Sequence, residues 1–171
     1  KDYIIEDGYA YGLDLTLKYN YKGLSLWAVY SIGYTRRWDG LIEYAPVFDR
    51  RHNVNLVGSY EFGADKAWTF NMRFNYGSGF PFTQVDGYFE KFDFSSGLGT
   101  DYSTSNGTLG TEFATINQGR LPAYARLDID VSREIYISQY SILELNAGIT
   151  NVADRDNIFY FDRNTYTRVN Q

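Results

Sequence analysis

Polar and apolar residues alternate along most of this chain, and the alternation comes in matched pairs of segments. In YGLDLTLKYNYKGLSLWAVYSIGY, residues 11–34, every second residue is apolar on both sides of Lys22-Gly23. A two-residue turn there pairs Tyr21 with Leu24, Tyr19 with Leu26, Leu17 with Ala28, Leu15 with Tyr30, Leu13 with Ile32 and Tyr11 with Tyr34, all on one face. The opposite face pairs Asn20 with Ser25, Lys18 with Trp27, Thr16 with Val29, Asp14 with Ser31 and Gly12 with Gly33, and is mostly polar or small. A slip of one residue would mix the two sets, so the pattern specifies both a hairpin and its register.

Two more hairpins follow. Residues 53–62 put Val54, Leu56, Gly58, Tyr60 and Phe62 on one face, and residues 68–76 put Trp68, Phe70, Met72, Phe74 and Tyr76 there, across a short GADKA turn. Residues 124–133 place Leu127, Ile129 and Val131 with Leu143, Leu145, Ala147 and Ile149 of residues 143–151, leaving Arg126, Asp128, Asp130 and Glu144 on the polar side. The turns within hairpins are short, about two, five and nine residues, while the connections between hairpins, about 35–51 and 77–122, are long for a compact domain.

Alternation alone leaves two readings open. The apolar face can close a water-soluble core, or it can meet lipid while the polar face lines a barrel interior. Three features favour lipid. The strands run about 9–11 residues, the length that crosses a bilayer at ~45°. Tyr19, Tyr21, Phe62 and Trp68 gather by the short turns, and Tyr11, Tyr34 and Tyr76 by the long connections, like two interfacial girdles. Charges recur along the polar face at Asp14, Lys18, Arg73, Arg126, Asp128, Asp130 and Glu144, which suits a wet lumen. Six strands are too few to close a membrane barrel, so more strands are expected than this sequence contains.

Composition narrows the chemistry. The net charge of −5 and the lack of a basic stripe argue against nucleic acid. With no Cys and one His, thiolate metal sites and Cys nucleophiles are excluded, His52 has no partner His for zinc, and a Ser-His-Asp triad is a poor expectation. Residues 1–9 hold no apolar run of signal-peptide length, and no stretch has the ~18 apolar residues of a membrane helix. Asp128 and Asp130 lie two apart on one strand face, where pairing with Arg126 or Arg73 is the simpler reading than glycosidase chemistry. The segment DRRH, residues 49–52, reads as charge pairing where a long loop re-enters the sheet. The best ligand candidates are the loop aromatics Phe80, Phe82, Tyr88, Phe89, Phe92, Phe94 and Tyr102, interleaved with Asp86, Glu90, Asp93 and Asp101. The alternative is that these rings pack into the loop's own small core.

Six motifs in order, YGLDLTLKY, WAVYSIGYTRRW, FDRRHNVNLVGSY, WTFNMRFNYGSGFPFT, LPAYARLDIDVSR and LELNAGITNVADRDN, resemble the C-terminal barrel region of TonB-dependent outer-membrane transporters, especially the Bacteroidota kind. The resemblance implies an antiparallel up-and-down transmembrane β-barrel of 22 strands, of which residues 1–171 would be a partial domain of about six. It implies a bacterial outer-membrane location and import of a nutrient such as a glycan, a peptide or a metal chelate. Its partners would be outer-membrane lipid, the rest of the barrel and its plug, the inner-membrane protein TonB, and in some members a surface lipoprotein. It implies no catalytic residues, no metal and no cofactor. Members end in a strand with a terminal aromatic, whereas this sequence ends TYTRVNQ, so a final strand and an N-terminal plug are expected outside it. A soluble all-β binding module and a passive porin are the competing expectations.

Overall fold

The computed structural model describes residues 7–63, 65–91 and 108–158. They form an all-β, antiparallel structure, and no helix occurs among them. Six long strands make one sheet in meander order: β1 (Asp7–Tyr21), β2 (Leu24–Trp38), β4 (His52–Phe62), β5 (Trp68–Gly77), β10 (Tyr124–Ser138) and β11 (Ser141–Ile149). A two-residue strand, β3 (Glu43–Tyr44), adds to the end of β2. The sheet is open: β1 and β11 each keep one unpaired edge among the described residues.

The first hairpin has the register that the alternation demands, Tyr11 opposite Tyr34 through to Tyr21 opposite Leu24. Lys22 and Gly23 both have positive φ, 45° and 88°, the twist-matched two-residue turn that favours right-handed strand pairs. The same sorting then propagates across the sheet. Leu17, Ala28, Leu56, Phe74 and Leu127 are successive cross-strand neighbours in one row, and Tyr19, Leu26, Gly58, Met72, Ile129 and Ile149 are neighbours in the next.

Two expectations about connections need correction. The third hairpin turn is two residues, Gln139 and Tyr140, rather than about nine. The stretch EIYISQYSI carries no Gly, Pro, Asn or Asp to mark a turn, and an irregularity between Tyr136 and Ser138 breaks the alternation that would have shown both strands continuing. The long connections also start later and are more ordered than bare loops. β2 runs on to Trp38, and the connection after β5 contains β6 (Pro81–Phe82), β7 (Val85–Lys91), β8 (Thr108–Phe113) and β9 (Gly119–Arg120). β6 pairs β9, and β7 pairs β8, in two small sheets separate from the main one.

Among the described residues, nothing packs over the main sheet to make a core. Leu13, Leu15 and Leu17 are 57%, 55% and 64% exposed, and among the described residues the buried hydrophobic side chains are Ala45 and Leu121, both in the connections. Buried residues cluster where the two long connections meet: Ala45, Pro46, Asp49, Gly77, Gly79, Pro81, Gly119 and Leu121. Gly58 is the other, and it sits under Leu26 and Met72 on the apolar face. Backbone ladders and cross-strand side-chain pairs therefore hold the strands, and compact packing is confined to the loops.

At Gly23 a Cβ would meet the Glu61 carbonyl oxygen at 3.2 Å, and φ is already left-handed. Gly23→Val should therefore cost roughly 1–2 kcal/mol, read as a lowered unfolding midpoint, whereas Lys22→Asn should be neutral or better. An unchanged midpoint for Gly23→Val would contradict the turn geometry.

Candidate functional site

The best-built side-chain cluster surrounds Asp49, at the mouth where β2 and β4 meet the long connections. The Asp49 carboxylate is 1% exposed and faces three guanidinium groups. Arg120 Nη2 donates to Oδ2 at 2.5 Å, while Arg36 Nη1 lies 3.6 Å and Arg51 Nε 3.8 Å away. Asp49 Oδ1 also accepts the Thr35 backbone N–H at 3.2 Å. A carboxylate removed from water needs this many donors to stay charged. Arg120 goes further, donating from Nη1 to the Asp49 and Gly79 carbonyl oxygens at 3.0 and 3.1 Å.

Asn117 makes a second tie. Its φ is 55°, its Nδ2 donates to the Ala45 carbonyl at 2.8 Å, and its backbone N–H donates to Thr83 Oγ1 at 3.0 Å. Through Arg120 and Asn117, the connection before β10 is fastened to the connection before β4. A cavity of about 280 Å³ lies between them, with Arg36, Glu43, Arg51, Asn117 and Arg120 in its walls. The expectation of charge pairing at DRRH is met by Asp49 and Arg51. Arg50 and His52 do something else. Arg50 stacks on Phe80 at 4.3 Å and on Tyr124 at 5.9 Å, and the Tyr30 hydroxyl lies 2.9 Å from His52 Nδ1.

The loop aromatics divide. Phe80 and Phe82 belong to the base of the connection: Phe80 lies under Arg50, and Phe82 packs against Gly119, where a Cβ would meet its ring at 2.9 Å. Both rings thus touch neighbouring parts of the chain at the base of the connection. Tyr88 and Phe89 are 63% and 51% exposed on β7, and as neighbours in a strand they point to opposite sides of that small sheet. Asp86 and Glu90 lie on the same strand. Phe92, Phe94, Tyr102, Asp93 and Asp101 fall outside the described residues. No single aromatic platform is brought together among the described members of this set.

The polar face carries a charged ladder. Arg73 is opposite Asp128, and Asn71 is opposite Asp130. Asp128 accepts from Arg126 Nε and from the Asn151 backbone N–H, both at 2.8 Å, while Asn71 Nδ2 donates to Asp130 at 2.8 Å. Both carboxylates thus have donors, in a concavity of about 380 Å³. Lys18 lies 5.2 Å from the Trp27 ring on the same face, with Asp14 further along β1. Glu144 stands opposite Glu134 near the short-turn end.

Arg120 and Arg36 are the residues that sequence reasoning missed. A lone Arg in GRLPAY has no local partner, and only the fold brings it to Asp49. The one signal available was an unpaired Asp in DRRH flanked by apolar Phe48. No protein-family model matches the chain, and no curated protein or solved structure matches it either. The fold and site therefore define it by themselves: an open antiparallel sheet, polar on one face and apolar on the other, whose long connections are knotted around a buried carboxylate.

Asp49→Asn leaves three guanidinium groups facing a neutral amide. Removing one partner of a buried pair costs about 3–5 kcal/mol, and the low end applies here because Arg51 and Arg120 are 39% and 30% exposed. Amide exchange should quicken at residues 45–49 and 117–121 while strand protection persists. Equal exchange in both proteins would mean that Asp49 does not fasten the loops. Asp39 offers a pH test outside the strands. Its Oδ1 accepts the N–H groups of Ile42 and Leu41 at 2.9 Å each, which lowers its pKa below the ordinary 3.8. A depressed carboxylate stabilises this turn above its unfolded pKa, and the contribution is lost as pH falls through the lower folded value. Protection of the Leu41 and Ile42 amides should persist at pH values just below 3.8 and disappear only further down.

Proposed function

We propose that this chain forms part of the wall of a β-barrel in a bacterial outer membrane, and specifically of a TonB-dependent transporter that imports a nutrient such as a glycan, a peptide or a metal chelate. The observation that carries the membrane reading is the uncovered apolar face with aromatics at both ends. Ten residue steps separate Tyr11 from Tyr21 along β1. At ~3.3 Å per residue and ~45° tilt they span about 23 Å vertically, close to the ~25 Å apolar band of outer-membrane barrels. The Tyr9, Tyr11 and Tyr34 rings stack at one end of that band, and Tyr60, Phe62 and Trp68 at the other. Arg133 lies 4.8 Å over the Trp68 ring, a cation placed at the border where its charge reaches head groups and water.

A soluble module would have to leave Leu13, Leu15 and Leu17 more than half exposed and the sheet without a second layer. The unpaired edges of β1 and β11 point to further strands beside them, since lipid does not tolerate open ladders. On this reading the polar face lines the lumen, with Asp14, Lys18, Arg73, Arg126, Asp128, Asp130 and Glu144 in the wall. The narrower assignment to the TonB-dependent class rests on the six ordered motifs, and the nutrient is recognised by loops and a plug beyond this sequence.

Expressed from the complete parent gene, the protein should fractionate with outer membranes, need detergent for solubility and migrate differently on gels when heated. A monomer soluble without detergent would overturn the membrane reading. Nutrient uptake that continues after the inner membrane is de-energised would make the barrel a passive porin instead. The faces can be tested directly. Trp27 lies on the polar face, and Trp38 and Trp68 on the apolar face. In single-tryptophan variants, brominated acyl chains should quench Trp68 strongly and Trp27 weakly. The reverse order would invert the barrel.

A further inference from the structure

Arg50 occupies the space that a side chain on β5 would otherwise fill. A Cβ added to Gly77 would meet Arg50 Cζ and Nη1 at 2.6 Å each, so the guanidinium lies directly over that glycine. Gly77 belongs to the polar row of β5, with Asn75, Arg73 and Asn71, and its partner on β10 is Tyr124. The guanidinium therefore sits on the polar face, at the end beside the long connections. Its carbon is 4.3 Å from the Phe80 ring centre and 5.9 Å from that of Tyr124. Aromatic contact fixes its plane and leaves the N–H edge as the direction in which a partner can bind.

That edge has no partner among the described residues. The Arg50 side chain makes neither a hydrogen bond nor an ion pair there, and its Nε is buried without an acceptor. The neighbouring carboxylates do not supply one. Asp128 already accepts from Arg126 and from the Asn151 N–H, and Asp130 from Asn71. Arg73 lies four residues before Gly77, about 13 Å down the strand at ~3.3 Å per residue. It is exposed and stands opposite Asp128 without a hydrogen bond to it. Among the described residues, this stretch of the face sets the guanidinium groups of Arg50, Arg73 and Arg126 against the carboxylates of Asp128 and Asp130. Positive charge is left over, and Arg50 is its most rigidly placed member.

We infer that Arg50 is an oxyanion-binding residue at the entrance to the polar face, and that the imported nutrient carries the carboxylate or phosphate it receives. The inference rests on the reading of this face as a barrel lumen, and narrows the cargo from nutrients in general to acidic ones. A guanidinium edge matches two oxygens of a carboxylate or a phosphate with paired N–H donors. A neutral hydroxyl answers only one donor and none of the charge. Because the rings already hold Arg50, little side-chain freedom is lost on binding. Arg73 is the next cation along the same strand, so an acidic solute leaving Arg50 meets a second set of donors on the same wall.

The test uses the complete protein purified from outer membranes in detergent. It is labelled with phenylglyoxal in sodium chloride, sodium acetate or sodium phosphate of equal ionic strength, and mass spectrometry reads the rate at each arginine. Acetate or phosphate should slow the labelling of Arg50 about tenfold relative to chloride, whereas Arg133, stacked on Trp68, should react alike in all three. The salt that protects more names the group, acetate a carboxylate and phosphate a phosphoryl group. Gly77→Ala keeps every charge and displaces the guanidinium, so Arg50 should still be labelled but no longer protected. Phe80→Leu should lose part of the protection, and serves where Gly77→Ala fails to fold. Equal rates in the three salts overturn the inference, and so does full protection in the variants. An Arg50 that resists phenylglyoxal in chloride is covered by the rest of the protein, which overturns it as well. A protein that stays heat-modifiable in the outer membrane but labels equally in all salts loses only this site. One that is soluble without detergent loses the barrel too.

Discussion

The strand ladder is what the rest of this molecule depends on. A soluble β-protein adds a second layer, so that side-chain packing and backbone hydrogen bonds share the task of holding strands together. Here no second layer is found among the described residues, and the main sheet has one buried residue within it, Gly58, apart from Gly77 at the end of β5. Register must then come from the backbone and from direct cross-strand pairs. A shift by one residue would carry Lys18, Arg73 and Asp128 to the face now occupied by Leu17, Met72 and Leu127. The first two hairpins keep one register throughout, and the third does so up to the irregularity between Tyr136 and Ser138.

The loops obey a different physics. Where the two long connections meet, polar atoms leave water, and several are answered: Asp49 by Arg120, Arg36 and Arg51, the Ala45 and Gly79 carbonyls by Asn117 and Arg120. Leu121 and Ala45 supply the small apolar centre. The molecule thus has its compact, desolvated part at one end of the sheet and its exposed apolar area along the wall. That is the inverse of a soluble domain with floppy loops over a firm core.

How much of this could be read from sequence follows from the range of each interaction. Strand pairs across short turns are local, so Tyr11 opposite Tyr34 and Phe62 opposite Trp68 were legible from alternation and turn residues. The last hairpin's turn was not, since Gln139 and Tyr140 carry no turn chemistry and the pattern slips just before them. The partnership of Asp49 with Arg120 spans 71 positions and leaves no periodic trace. The surroundings of Phe80 and Phe82 were illegible for the same reason: nothing local in the sequence shows that one ring lies beneath Arg50 and the other beside Gly119. Charge on the polar strands was legible as a set, but its pairing was settled by cross-strand register, which gave Asp130 to Asn71 instead of to an arginine.

The Arg120 tie also bears on the order in which the chain can assemble. Each hairpin closes over a few residues, whereas β5 and β10 must find one another across residues 78–123, the most expensive closure in the sheet. Once Arg120 has reached Asp49, Tyr124 is delivered almost to its seat opposite Gly77, and the remaining search is over a handful of residues. Loop-closure entropy changes by only about 0.6 kcal/mol for each halving of length, so equilibrium gains little from such a staple. Kinetics gains more, because a strand whose start is already anchored can zip in register before its bare apolar side meets another chain.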